Sequence, residues 1–158
     1  MPTETSKVQG RRKVQYTSLR DVLADAERIS KGRVEALGNW SAGQIFMHLA
    51  NSLNDSIDGA DSRPSWWFRL MARMMKKRIL RGPMSPGFKL PPAAAKNLVP
   101  GPTSTDEGLA ALRAAIARQE REPNRAPSAF LGPLSHEEWN QLHLNHAALH
   151  MSFLVPRN

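Results

Sequence analysis

The segment LSHEEWNQLHLNHAALHMSFL, residues 134–154, decides the fold class of this 158-residue chain. Its start has the spacing of a capping box, in which the side chains of Ser135 and Glu138 each satisfy a free backbone N–H group of the first helical turn. We therefore predict a helix from Ser135 to about the end of the segment, where Pro156 stops it.

Three further segments carry the same signal for a helix start. The predicted helices begin at Ser18 with Asp21, at Ser41 with Gln44 and at Ser104 with Glu107, and they end near Gly32, Gly59 and Glu120. No alternating strand pattern of useful length appears. The sequence thus predicts an all-α fold, a four-helix bundle with a long crossover between its second and third helices.

The crossover contains a short amphipathic stretch from Trp66 to Leu80, followed by a loop rich in proline and glycine from Gly82 to Pro102. One face of the stretch is apolar and the other is basic. The apolar residues are Trp67, Leu70, Met71, Met74 and Met75, and the basic ones are Arg69, Arg73, Lys76 and Lys77. We expect the methionines to pack in the core and the basic face to be solvated, unless it attracts an anionic substrate or lipid.

The net charge of +8 comes from this crossover. Nine basic residues and no acidic residue lie between Ser62 and Thr105, and the remainder has 13 basic against 14 acidic residues. The basic segment spans 63–96 and includes Lys89 and Lys96. Because no nucleic-acid recognition motif accompanies it, we expect no nucleic-acid partner.

The length of the chain predicts a single domain, residues 16–158, preceded by a flexible N-terminal arm, residues 1–15. There is no cysteine, so histidine, carboxylate, carbonyl or water must hold any metal ion. No apolar run is long enough for a membrane span, and a cytoplasmic location is the default expectation.

Histidines supply the candidate metal ligands. His143, His146 and His150 share one face of the last predicted helix, and His146 and His150 have the i,i+4 spacing of helical metal sites. His48 lies in an apolar context inside the second helix, and a bundle brings such residues to a common interior point. The alternative is that these histidines are half-buried and hydrogen-bonded without an ion.

Two stretches, GNWSAGQIFMHLA at 38–50 and GPLSHEEWNQLHLNHAALHMSFL at 132–154, resemble the DinB-like superfamily, and most closely an uncharacterised branch of it. The resemblance covers residues 11–155. It implies a four-helix bundle whose metal is held by one histidine of the second helix and an H-x-x-x-H pair of the last, here His48, His146 and His150. Members of this branch often carry a second histidine beside the last ligand, where this chain has Leu149.

The resemblance also implies function. Some relatives are thiol-dependent transferases or isomerases that use small thiols, and others are hydrolases. We therefore expect a divalent ion, zinc or nickel, a small-molecule substrate such as a low-molecular-weight thiol, and a homodimer. The ion would activate a water or thiol, or polarise a substrate oxygen. No catalytic residue is assigned.

The alternative function is a non-catalytic helical module that binds a partner or an anionic surface through the basic crossover. A pocket above the three imidazoles would favour the enzyme, and a filled interior would favour the module. Gln44 either orients a ligand or serves only as the capping partner of Ser41. Asp55 either orients a ligand or is simply solvated. Trp139 either walls the site or packs against Leu134 at the helix start, and we expect His143 to act at most through packing or a second-shell hydrogen bond.

Overall fold

The structure, a computed structural model, describes residues 2–61, 63–87 and 98–157 and is mostly helical. Its helices are α1 (Leu19–Ser30), α2 (Ala42–Asp58), α3 (Trp66–Met74), α4 (Lys76–Arg81), α5 (Thr105–Arg121) and α6 (His136–Met151). Two short strands, β1 (Arg33–Ala36) and β2 (Leu154–Arg157), accompany them. Within the described ranges, no helix is long and apolar enough to cross a membrane.

The four predicted helix starts are confirmed by their capping geometry. In each case the serine side chain accepts a hydrogen bond from the backbone N–H of the residue three positions later. The side chain of that residue in turn accepts a hydrogen bond from the backbone N–H of the serine. Such boxes depend on neighbouring residues only, so the sequence is enough to locate them. The boxes are Ser18 with Asp21, Ser41 with Gln44, Ser104 with Glu107 and Ser135 with Glu138.

The chain end differs from the prediction. Helix α6 stops at Met151, and residues 154–157 form β2 instead of a last helical turn. Strand β2 pairs antiparallel with β1, with Ala36 opposite Leu154. Each strand is only four residues long, which is too short for an alternating pattern to stand out in the sequence.

The core is shared by the four longer helices, α1, α2, α5 and α6, and its most buried residues include Phe46, Leu112 and Met151. Contacts at both ends show that α2 and α5 run in the same direction, because Gly43 lies against Gly108 and Gln119 donates to the Leu53 carbonyl. Helix α6 runs opposite to α2, which brings its last turns beside the first turns of α2.

The amphipathic stretch of the crossover forms two helices, α3 and α4, which meet at Met75. The prediction that its methionines pack in the core is wrong: Met71, Met74 and Met75 are exposed. Phe68 of α3 and Lys76 and Leu80 of α4 contact the rest of the domain instead. Of the predicted loop and the basic segment, residues 88–97, with Lys89 and Lys96, lie outside the described residues.

The N-terminal residues contact the domain. Arg12 forms a salt bridge with Asp25 of α1, with 2.8 Å between Nη2 and Oδ2, and its backbone N–H donates to the Ser152 carbonyl. Arg11 donates to the Ser152 hydroxyl. The division between an arm and a domain at residue 15 stays a prediction.

Candidate metal centre

Helices α2 and α6 bring three histidines together. His48 is in the second turn of α2, while His146 and His150 are one turn apart near the end of α6. One ring nitrogen from each lies within 4.8 Å of the others. The three residues are those that the sequence predicts, and they are close enough to bind one metal ion.

Hydrogen bonds fix the tautomer of His48. Its Nδ1 lies 2.8 Å from the carbonyl oxygen of Leu98. A carbonyl only accepts, so Nδ1 carries the proton and donates, and in the neutral ring Nε2 is left with a lone pair. Metal-ligating imidazoles commonly bind the ion through one ring nitrogen and donate the N–H of the other to a backbone carbonyl.

The lone pair of His48 points at a second imidazole, since its Nε2 lies 3.1 Å from Nε2 of His146. The other nitrogen of His146, Nδ1, lies 3.4 Å from the hydroxyl of Ser52. A proton on His146 Nε2 would bridge the two rings. With the proton on Nδ1, two lone pairs face each other and require a cation between them.

The electrostatic environment keeps all three imidazoles neutral, which is the form that binds metals. Burial lowers the pKa of His48. Burial, followed by repulsion from His48, lowers the pKa of His150 to about 3. The pKa of His146 is well below its ordinary value, first because of burial and then because His150, His48 and His143 are close.

Trp40 forms a wall of the site that sequence analysis missed. Its ring is stacked on that of His150, with ring centroids 5.3 Å apart and an angle of 8° between the planes. The centroid of its ring also lies 4.8 Å from that of His48. In the sequence Trp40 looks like one half of a hydrophobic staple at the start of α2. Only the antiparallel packing of α6 on α2 brings His150 under it.

The crossover supplies backbone groups next to the site. Gln44 accepts from the Ser41 backbone as predicted for a capping partner, and its amide also donates to the Pro100 carbonyl, 3.0 Å away. Together with the bond from His48 to Leu98, this holds the end of the crossover against α2. Backbone carbonyls have no sequence signal, so the contribution of Leu98 could not be predicted.

His143 is buried near His146 but is not one of the three clustered histidines. Its ring stacks on Trp139, with centroids 5.2 Å apart, and the Trp139 indole donates to the Ala126 carbonyl. Trp139 therefore contacts His143, the histidine outside the cluster. Within the described residues, Nε2 of His143 has no hydrogen-bond partner, and burial, with a smaller contribution from Arg125, lowers its pKa to about 4.

A cavity of about 10 Å³ lies between His143, His146 and apolar residues of the core, among them Leu49 and Leu112. That volume is roughly one water molecule. It is too small for a substrate and does not favour the enzyme hypothesis. His146 and His150, however, are only half-buried, so part of each side chain is exposed to solvent.

Asp55 is half-buried near the end of α2. Burial, together with the charges of Asp61 and Asp58, raises the pKa of its carboxyl. Asp55 is not one of the three clustered residues, and its position gives it an acidic neighbourhood of its own.

Comparison with known proteins gives one match. The sequence model of a protein family described as "Protein of unknown function (DUF1569)" matches residues 8–157. No curated protein and no solved structure matches the chain.

Proposed function

This chain belongs to the DUF1569 family, a family of unknown function, so its function has to be argued from the histidine cluster, and we propose that His48, His146 and His150 bind one divalent metal ion. The observation that carries the proposal is the pair of Nε2 atoms 3.1 Å apart, one of which has its lone pair directed at the other. Two nitrogens bound to one tetrahedral zinc at about 2.0–2.1 Å lie about 3.3 Å apart.

The chemistry of the donors supports the same ion. Three neutral imidazoles favour zinc or nickel over magnesium or calcium, which prefer oxygen ligands. The Leu98 carbonyl orients His48, and the hydroxyl of Ser52 is near His146. When bound, a divalent cation supplies a Lewis acid that polarises a substrate oxygen and favours deprotonation of a water or thiol.

The fold part of the proposal is a four-helix bundle of the DinB-like superfamily, with residues 16–158 as its domain. The common core of α1, α2, α5 and α6 supports it. So does the position of the H-x-x-x-H pair opposite His48. The activity we propose is that of a metal-dependent hydrolase or thiol-dependent transferase acting on a small molecule. The partial exposure of His146 and His150 supports this activity over a closed structural site.

Metal content of single variants tests the site. His48→Ala, His146→Ala and His150→Ala should each abolish stoichiometric zinc or nickel, because each removes one of three nitrogen ligands. His136→Ala is the matched control: it removes an exposed histidine at the start of the same α6 helix. The measurement is metal per folded protein after dialysis, with circular dichroism to verify the fold.

Thermal melting gives a second measurement of the same prediction. An ion that binds only the folded chain stabilises it by about 2.7 kcal/mol at a hundredfold excess over its dissociation constant. Zinc or nickel should thus raise the melting temperature of the unsubstituted protein and not that of the His146→Ala variant. If the His143→Ala variant loses the metal while the His150→Ala variant still binds it, the ligand assignment is wrong.

A non-catalytic module remains the second candidate, and the observation in its favour is the exposed apolar face of the crossover helix α3. A thiol-transfer assay of the metal-loaded protein separates the two. Turnover that the His146→Ala variant lacks supports the enzyme, whereas bound metal without turnover of any small thiol or ester supports the module.

A further inference from the structure

Helix α3 exposes an apolar face to solvent. Trp66 is 72% exposed, Trp67 60% and Met74 75%, and Leu70 and Met71 are each more than two-fifths exposed. At about 100° per residue, these five side chains fall within an arc of about 140°. A continuous face of this size on a soluble domain marks an interaction surface.

Packing on the opposite side turns this face outward. Phe68 of α3 makes an edge contact with Phe130, with ring centroids 5.8 Å apart. In α4, Lys76 forms a salt bridge with Glu138, with 2.9 Å between Nζ and Oε1. The Leu80 carbonyl accepts from Asn145. The segment of α3 and α4 thus contacts α6 and the preceding loop through this side, which leaves the apolar face of α3 toward solvent.

The charged residues of α3 and α4 are all basic. Arg69 and Arg73 lie on α3 at the edge of the apolar arc, and Lys77, Arg78 and Arg81 follow on α4. In the described part of the chain, Lys76 is the one basic residue of α3 and α4 that pairs with a carboxylate. The occupant of the face must therefore combine negative charge with apolar material.

We propose that the α3 face binds the surface of an anionic phospholipid membrane. An amphipathic helix with tryptophan and methionine on one side and arginine and lysine beside them lies in the interface, with its apolar side in the acyl boundary and its cations at the headgroups. The indoles of Trp66 and Trp67 suit the headgroup level, where tryptophan is enriched.

Two other occupants fit the face less well. A second copy of the chain would bring two positively charged α3–α4 segments together, and like charges repel. A single-stranded nucleic acid would stack on Trp66 and Trp67. However, it would leave the aliphatic side chains of Leu70, Met71 and Met74 without an apolar partner.

The test is sedimentation of the full chain with two kinds of vesicle, phosphatidylcholine alone and phosphatidylcholine with phosphatidylserine. Binding is expected only to the second kind, and it should weaken as salt is added. The double variants Arg69→Glu with Lys77→Glu, and Trp66→Gln with Met74→Gln, should each lower the partition coefficient about tenfold or more. These substitutions are at exposed positions, and circular dichroism verifies the fold.

A matched control makes the same change of charge elsewhere. Lys31→Glu with Arg121→Glu alters two exposed basic residues outside α3 and α4 and should leave partitioning unchanged. The proposal is overturned if no binding to phosphatidylserine vesicles occurs at low salt, or if the control weakens binding as much as the variants of α3 and α4. It is also overturned if Trp66→Gln with Met74→Gln dissolves a dimer, or if a single-stranded oligonucleotide binds this face and displaces the vesicles.

Discussion

At the scale of single residues, His143 is notable because its Nε2 is buried and lacks a hydrogen-bond partner in the described structure. Its folded-state pKa of about 4 is below the unfolded value of 6.5. Between these values the unfolded chain binds the proton and the folded chain does not, so stability falls as the pH falls from about 6.5 to about 4.

We therefore predict that His143→Phe, which keeps a ring beside Trp139, removes part of this acid sensitivity. The loss of unfolding free energy over that pH range should shrink by about 3 kcal/mol, while stability at neutral pH stays equal or rises. Urea denaturation of the metal-free protein at both ends of this pH range measures the loss of unfolding free energy. His136→Phe, at an exposed position, is the control. Equal pH dependence in all three proteins would contradict the prediction.

At the scale of elements, the contact between α2 and α5 depends on two glycines. A Cβ atom at Gly43 would lie 2.3 Å from the Ser104 carbonyl oxygen, and one at Gly108 would lie 2.3 Å from the Gly43 carbonyl oxygen. Both neighbours are backbone atoms, which cannot rotate away. The absence of side chains at these positions lets the first turns of the two parallel helices touch.

Because of this contact, we expect glycine-to-alanine substitutions here to change stability in the direction opposite to the usual one. Glycine to alanine inside a helix normally stabilises by about 1 kcal/mol. Here Gly43→Ala and Gly108→Ala should each destabilise by about 2–3 kcal/mol, because the helices must separate. Gly101→Ala, where the added Cβ meets open space, is the control. A rise in the urea midpoint for Gly108→Ala would show that the two helices do not approach so closely.

At the scale of the whole molecule, Arg12 connects three parts of the chain. Its guanidinium contacts Asp25 of α1 and the Met151 carbonyl at the end of α6. The Asp25 carboxylate also accepts a hydrogen bond from the Tyr16 hydroxyl, with 2.6 Å between the two oxygens. Burial opposes ionisation of Asp25, but hydrogen bonds from Arg12, Tyr16 and Arg28 outweigh it and lower the pKa of the carboxyl.

Because both partners are mostly buried, Arg12→Met should destabilise the protein by about 3 kcal/mol at neutral pH. The stability that comes from a lowered carboxyl pKa is present above the unfolded value of 3.8 and is lost as the pH falls below it. The cost of Arg12→Met should therefore decrease in acid. Chemical denaturation at neutral and acidic pH measures it, with the exposed Lys13→Met as control. If residues 1–15 form an independent arm, both variants will leave the midpoint unchanged.

The amino-acid sequence by itself determined the helix starts and the residues of the candidate site. Capping boxes such as Ser41 with Gln44 depend on four consecutive residues, and the i,i+4 spacing of His146 and His150 follows from the helical repeat. These features need no distant partner, so their local pattern was enough. The apolar context of His48 inside the second predicted helix indicated the third member, and the resemblance to a known superfamily implied the same residue.

Only the tertiary structure decided the features that depend on distant partners. Strands β1 and β2 exist because the chain end returns to residues 33–36, and a four-residue strand has no pattern of its own. The stacking of Trp40 on His150 and the bond from His48 to the Leu98 carbonyl arise where separate elements meet. The apolar face of α3 has the same periodicity whether it is buried or exposed, and the packing of Phe68 and α4 on the other side turned it to solvent.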